Sequence, residues 1–352
     1  MRIKFLKAAT TIALCGGLVA GCSGENGTAD PVSSAPTSTS TEITSTPAAS
    51  SSAPVAASCG SDLLASLSLR QKLAQLLNVG VTGTDDAVSI VQNEEIGGIF
   101  VGSWTDQSML TNREVPQVAS ASKLPLMVTI DEEGGRVSRV ADILGPDPSA
   151  RETAQTMTVE QTYQMALERG RGLKDLGITV NYAPPDVDVS SQPDDSVIGD
   201  RSYSDDPQTV VAYAGAYAQG MRDAGIFPVI KHFPGHGSAS GDSHRGGEVT
   251  TPPLQDLIAS DLIPFRELSG TGVGVMMGHL EVPGLTEPGT PPASISPAAV
   301  ALLRDGVGYG AAPFTGRCSP TTSAACRRSP TDTILPTRFR LRWWLESIRH
   351  CG

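Results

Sequence analysis

Short apolar runs separated by helix-length segments constrain this chain more than any other feature of its sequence. Strands are expected at Leu77 to Val81, Ile96 to Val101, Leu126 to Ile130, Ile178 to Asn181, Val229 to Ile230 and Val273 to Met277. The stretches near 107–122, 158–176, 207–224 and 254–268 fit helices between most of them. Strands joined through helices pair in parallel by right-handed crossovers. Two α/β architectures satisfy that pattern, a doubly wound sheet and a TIM-type (β/α) barrel. Asp131, Lys231, His232 and His279 all fall just after apolar runs. Polar residues at strand after strand mark the catalytic rim of a barrel, so the barrel is favoured, ending after about six strands. Folded structure is expected to begin near Ser68, which with Gln71 makes a capping box ahead of Leu69, Leu73, Leu76 and Leu77 on one helical face.

The chain has 352 residues, 39% of them apolar, enough for one barrel-sized core. A formal net charge of −11 argues against nucleic acid as a partner, because phosphate binding needs a basic face. Residues 1–21 combine Arg2, Lys4 and Lys7 with an apolar run from Ala8 to Ala20, the profile of an export signal. Val19-Ala20-Gly21-Cys22 resembles the lipobox at which bacterial lipoproteins are cleaved and lipidated on cysteine, which implies anchoring of Cys22 to the outer face of the cytoplasmic membrane. Residues 22–58 are rich in Ser, Thr, Pro and Ala and read as a disordered tether. The catalytic domain is expected over 59–316, with Cys59 its one cysteine, so no disulfide framework is legible.

Three segments carry chemistry. Lys231-His232-Phe233-Pro234-Gly235-His236-Gly237 runs into Asp242-Ser243-His244, and four of the chain's five histidines fall at 232, 236, 244 and 279. Asp242, two residues from His244, is placed to orient an imidazole that lends and recovers a proton. The plainer alternative is a solvated Asp-His pair on a surface loop. A zinc site from His232, His236 and His244 is a third reading, ranked lower because His232 and His236 span a Pro-Gly turn and cannot share a helical face. The second segment, Asp131-Glu132-Glu133-Gly134-Gly135-Arg136-Val137-Ser138-Arg139, joins carboxylates suited to vicinal hydroxyls with arginine donors. A structural ion pair between Asp131 and Arg136 is its plainer alternative. The third runs from Asp194 to Tyr203 and offers Arg201 as a donor.

Together these segments resemble the family 3 glycoside hydrolases, in particular the bacterial β-N-acetylglucosaminidases (β-N-acetylhexosaminidases), over roughly residues 61–316. The resemblance implies exo-acting, retaining hydrolysis of terminal β-linked N-acetylglucosamine from peptidoglycan-derived or related glycans. His244, paired with Asp242, would serve as general acid and then base. Asp131, Arg139, Arg201, Lys231 and His232 would bind the sugar. No metal or organic cofactor is implied, and the oligomeric state is not legible.

The chain departs from the family after Leu302-Leu303-Arg304 and the glycine-rich 306–310, where the family places a strand ending in the nucleophilic aspartate. Residues 317–352 instead hold seven Arg and no Lys, half of the cysteines and two of the three tryptophans, without helical or strand period. Read one nucleotide earlier, the codons for Arg317 to Ser323 permit Val-Phe-Thr-Asp-Asp-Leu, which is what the family places on that strand. The same shift over residues 343–351 forces Val and Ala, permits Gly-Val-Asp and forces Leu near its end. A frameshift near codon 317 is therefore expected to have replaced the nucleophile, and Asp332, with no strand context, is a poor substitute. Three functions stay open on the sequence: an active glycosidase, a glycan-binding lipoprotein that does not cleave, and a metal-dependent hydrolase.

Overall fold

A computed structural model of the chain describes residues 60–245, 248–286, 289–305 and 318–320. The signal, the tether, Cys22, Cys59, Asp332 and nearly all of the tail lie outside these residues. Seven parallel strands stand side by side in chain order: β1 (Asn78–Val81), β2 (Gly98–Val101), β3 (Met127–Ile130), β4 (Val180–Asn181), β5 (Phe227–Phe233), β6 (Gly274–Met277) and β7 (Cys318–Pro320). A doubly wound sheet would reverse its order at a switch point. Unbroken sequential order is the wall of a TIM-type barrel, here an incomplete one.

Alternation along each strand explains the layers. Ile99 and Val101 of β2, Val128 and Ile130 of β3 pack outward into one core with Ala87, Val91, Leu173 and Tyr217 of the surrounding helices. Phe100, Val180, Tyr182, Val229 and Met276 form a separate cluster on the opposite, inner face. With both faces buried, the strands read as continuous apolar runs. Parity then matters for chemistry. Asp131 follows outward Ile130, and Lys231 follows outward Ile230, so both continue the inner face at the C-terminal ends of their strands.

Two expectations on strands are corrected. β5 does not stop at Ile230 but runs to Phe233, because Lys231 and His232 find polar partners inside and do not have to leave the ladder. β7 falls in the tail, where no strand period is legible. Its three residues pair with Val275, Met276 and Met277, and an open strand edge recruits backbone without needing a side-chain pattern.

The helices expected near 158–176 and 207–224 form as Val159–Asp175 and Pro207–Ala224, started by a Thr158–Gln161 capping box and by the Asp206 side chain. They cross closely through Gly220, where a methyl group would lie 2.6 Å from Tyr163 O. The other two expected helices are each broken, into Ser108–Thr111 and Val115–Ser120, and into Leu254–Ala259 and Leu262–Leu268. Arg113, with φ 59°, turns the chain between the first pair. No helix among the described residues is long and apolar enough to cross a membrane.

Candidate active site

The inner rim holds a dense cluster of charge. Lys231 Nζ, almost fully buried, contacts Asp131 Oδ1 and Glu133 Oε1. Arg201 reaches Glu133 through Nε and Nη2, each at 2.9 Å, and Asp186 through Nη2 at 3.1 Å. Burial opposes the charge of Glu133, but Arg201 and Lys231 hold its carboxyl far below the usual range. Burial likewise opposes the charge of Lys231, yet Asp131, Glu133 and Asp186 hold its ammonium above the usual lysine range. Burial, with repulsion from Glu133 and Asp188, pushes Asp186 well up. Two buried cations, Lys231 and Arg201, thus face the carboxyl groups of Asp131, Glu133 and Asp186.

Asp188 organises the next segment. Its Oδ2 meets His232 Nδ1 at 2.9 Å and accepts from His232 N at 3.3 Å, while Oδ1 accepts from His236 N at 2.6 Å. Burial opposes ionisation of Asp188, but these groups hold its carboxyl below the usual range. Burial lowers the His232 pKa, and burial with the nearby His232 lowers that of His236 to about 4. Facing an ionised carboxylate, neutral His232 must carry its proton on Nδ1, which leaves Nε2 as an acceptor. The two rings stand 5.7 Å apart, so the tight turn brings together histidines that no shared helix face is needed to align.

Glu132 points elsewhere. It accepts from Ser138 Oγ at 2.8 Å, Arg139 N at 2.6 Å and Val140 N at 3.2 Å, closing the 131–140 loop. Arg139 is thereby placed through its backbone, and its buried Nε has no hydrogen-bond partner among the described residues. The alternative ion pair between Asp131 and Arg136 does not form. Arg136 binds Asp200 Oδ1 at 2.8 Å and Ser196 O at 2.6 Å, bracing the third segment, because Lys231 already occupies Asp131.

Asp242 and His244 stand apart from this cluster. His244 N and Nδ1 meet Asp242 Oδ1 at 2.9 and 3.0 Å, and Arg245 Nε lies 3.3 Å from Asp242 Oδ2. Partial burial opposes the Asp242 charge, but the His244 contacts hold its carboxyl below the usual range. The His244 side chain is 67% exposed, so the loop presents the dyad to solvent.

The zinc set of His232, His236 and His244 is not assembled, since His244 Nδ1 turns to Asp242. Asp186, Asp188 and His232 do have ligand-like spacing, with one atom of each within 4.8 Å of the others. Both Asp188 oxygens already accept hydrogen bonds, and Lys231 and Arg201 bring positive charge beside Asp186. That setting does not suit a cation.

Asp186 and Asp188 escaped sequence reasoning, whereas Glu133 was read only as one of the second segment's carboxylates and His236 only as part of the first motif and a candidate zinc ligand. One signal was available, the alternation Asp186-Val187-Asp188-Val189 just after β4, which places two acids on one side and two buried valines on the other. Asp261 was not legible at all. It is buried beside Gly235, and burial together with Asp188 raises its pKa to about 7.

The model of the glycosyl hydrolase family 3 N terminal domain matches residues 68–319. Beta-hexosaminidase LpqI of Mycobacterium tuberculosis is 53% identical over 318 residues, spanning 89% of this chain and 79% of the relative. The crystal structure of a GH3 family glycosyl hydrolase from Mycobacterium smegmatis superposes with a TM-score of 0.70 at 56% identity, covering 73% of this chain and 77% of that one. A family 3 β-N-acetylglucosaminidase from Paenibacillus gives a TM-score of 0.67 at 30% identity over 74% of this chain and 50% of its own.

Proposed function

The chain belongs to glycosyl hydrolase family 3, and on that premise we propose that it releases terminal β-linked N-acetylglucosamine from glycans, those derived from peptidoglycan included. The observation that carries this reading is the buried inner cluster in which Lys231 and Arg201 meet Asp131, Glu133 and Asp186. Asp131, oriented by Lys231, accepts hydrogen bonds from vicinal sugar hydroxyls. Lys231, Arg139 and Arg201 donate, and His232 Nε2 accepts. Relatives named β-hexosaminidase and β-N-acetylglucosaminidase supply the sugar class.

His244, oriented by Asp242, acts as the acid and base of a retaining cycle. A carboxylate attacks the anomeric carbon while the glycosidic C–O bond breaks and the leaving oxygen takes a proton from His244. Water, giving its proton back to His244, then frees the sugar. An exposed histidine on a separate loop suits that work, since it approaches the scissile bond from outside the binding cluster.

The tail favours a second reading. With Arg317 onward out of the family's frame, the attacking aspartate is missing, and the chain binds N-acetylglucosamine without cleaving it. One comparison tests both readings: turnover of an aryl N-acetyl-β-glucosaminide by this chain and by a version with the frame restored at codon 317. Turnover by the restored version alone assigns the reaction to the restored frame and leaves this chain as a binder. Equal turnover refutes the missing nucleophile, and absence of turnover in both refutes the proposed reaction.

A further inference from the structure

Trp104 is a large side chain left 45% exposed on a loop that is otherwise pinned. Thr105, buried beside it, donates from Oγ1 to Val81 O at 2.7 Å and accepts from Gly102 N at 3.0 Å. Asp106 N bonds Thr82 O, and Gln107 Nε2 bonds Arg139 O at 2.8 Å. The loop is therefore tied to the ends of β1 and β2 and to the backbone of a proposed sugar-binding residue. The indole lies over Gly102, where an added Cβ would come within 2.6 Å of ring carbons, so only glycine allows this seat. Its ring also tilts against Phe100 at 5.8 Å, and Phe100 stacks on Tyr182 at 5.9 Å. Tyr182 in turn accepts from Asn78 Nδ2 at 2.6 Å. A row of aromatic rings thus leads from the inner face of the sheet to an exposed indole.

A pinned loop that holds a flat aromatic ring toward water offers a preset face for stacking. We propose that Trp104 is the platform for the second sugar ring of the substrate, stacking on the apolar face of the residue linked to the terminal N-acetylglucosamine. This rests on the reading of the inner cluster as the terminal-sugar pocket. The outer ring is assigned to Trp104 because charged groups fill the inner pocket, whereas Trp104 stands exposed on a rim loop that also bonds the Arg139 backbone. Stacking on a ring already held in place spends little entropy on binding.

The test is calorimetric titration of the full chain with N-acetylglucosamine and with thio-linked N,N′-diacetylchitobiose, which resists hydrolysis, alongside indole emission. Trp104→Ala is expected to weaken the disaccharide about three- to tenfold and leave the monosaccharide unchanged. Trp104→Leu keeps an apolar contact with Phe100 and lacks the aromatic face, and must behave in the same way. The parent's emission should change with the disaccharide only, and that change should vanish in both variants. Equal weakening of both ligands, or of neither, overturns the assignment. Asp131→Asn is the separate control: if it leaves monosaccharide binding intact, the inner pocket itself is wrongly placed, whatever Trp104 does.

Discussion

Arg201 grips Glu133 through two parallel hydrogen bonds of 2.9 Å, and Lys231 holds the same carboxylate from another side. Removing the carboxylate leaves two buried cations short of their counter-ion, the costly way to break such a cluster. Glu133→Ala is therefore expected to lower stability by about 3–5 kcal/mol in urea unfolding. It should also weaken N-acetylglucosamine binding, because Lys231 would turn fully to Asp131. A loss no larger than that of an exposed ion pair would show that the cluster relaxes freely.

Asp261 gives a pH prediction with a definite sign. In the unfolded chain its carboxyl releases a proton near the ordinary aspartate value of 3.8, and in the fold near 7. Between these values the native state holds the extra proton, so stability from this group is complete below the lower value. It drains away as pH rises through the upper one, by at most about 1.4 kcal/mol per pH unit. Asp261→Asn removes the titration, so its thermal midpoint should improve relative to the parent between pH 4.5 and 7.5. His236, lowered to about 4, contributes in the opposite direction in both proteins and cancels in the comparison. Midpoints that track each other across that range would contradict a buried, protonated Asp261.

In the frame-restored protein, His244→Ala should lower turnover by about 100-fold or more, the usual contribution of general acid and base catalysis. Aryl glycosides with good leaving groups need less help with protonation and should lose less in the first step. Unchanged rates on natural and activated substrates alike would move the proton transfer to another residue.

Cys22 fixes the expected location. If the chain is lipidated there, Cys22→Ala should shift it from the membrane fraction to the soluble fraction. Equal membrane retention in both would remove the anchor from the account.

Strand existence was readable because runs such as Ile96 to Val101 are buried on both faces, and the capping box at Ser68 and Gln71 formed as its side chains dictate. Boundaries were less readable where polar residues stay inside a strand. Lys231 and His232 look like a strand end in sequence, yet carboxylates from the chain after β3 and after β4 satisfy them within β5. The cluster was legible one partner at a time. Asp131, Lys231 and Arg201 stood out as residue types suited to sugars, whereas Glu133 and Asp186, which join them, depend on pairings 68 and 15 residues away from Arg201. Such separations carry no local period.

Three consecutive carboxylates leave β3, and no two of them do the same work. Asp131 meets Lys231, Glu132 closes its own loop, and Glu133 joins Arg201 to Lys231. Position along the backbone alone decides which does which, since the three side chains differ by little more than one methylene. Adding or deleting a single residue between Ile130 and Gly134 would hand every role to the wrong neighbour. The gene is thus freer to change letters here than to change length.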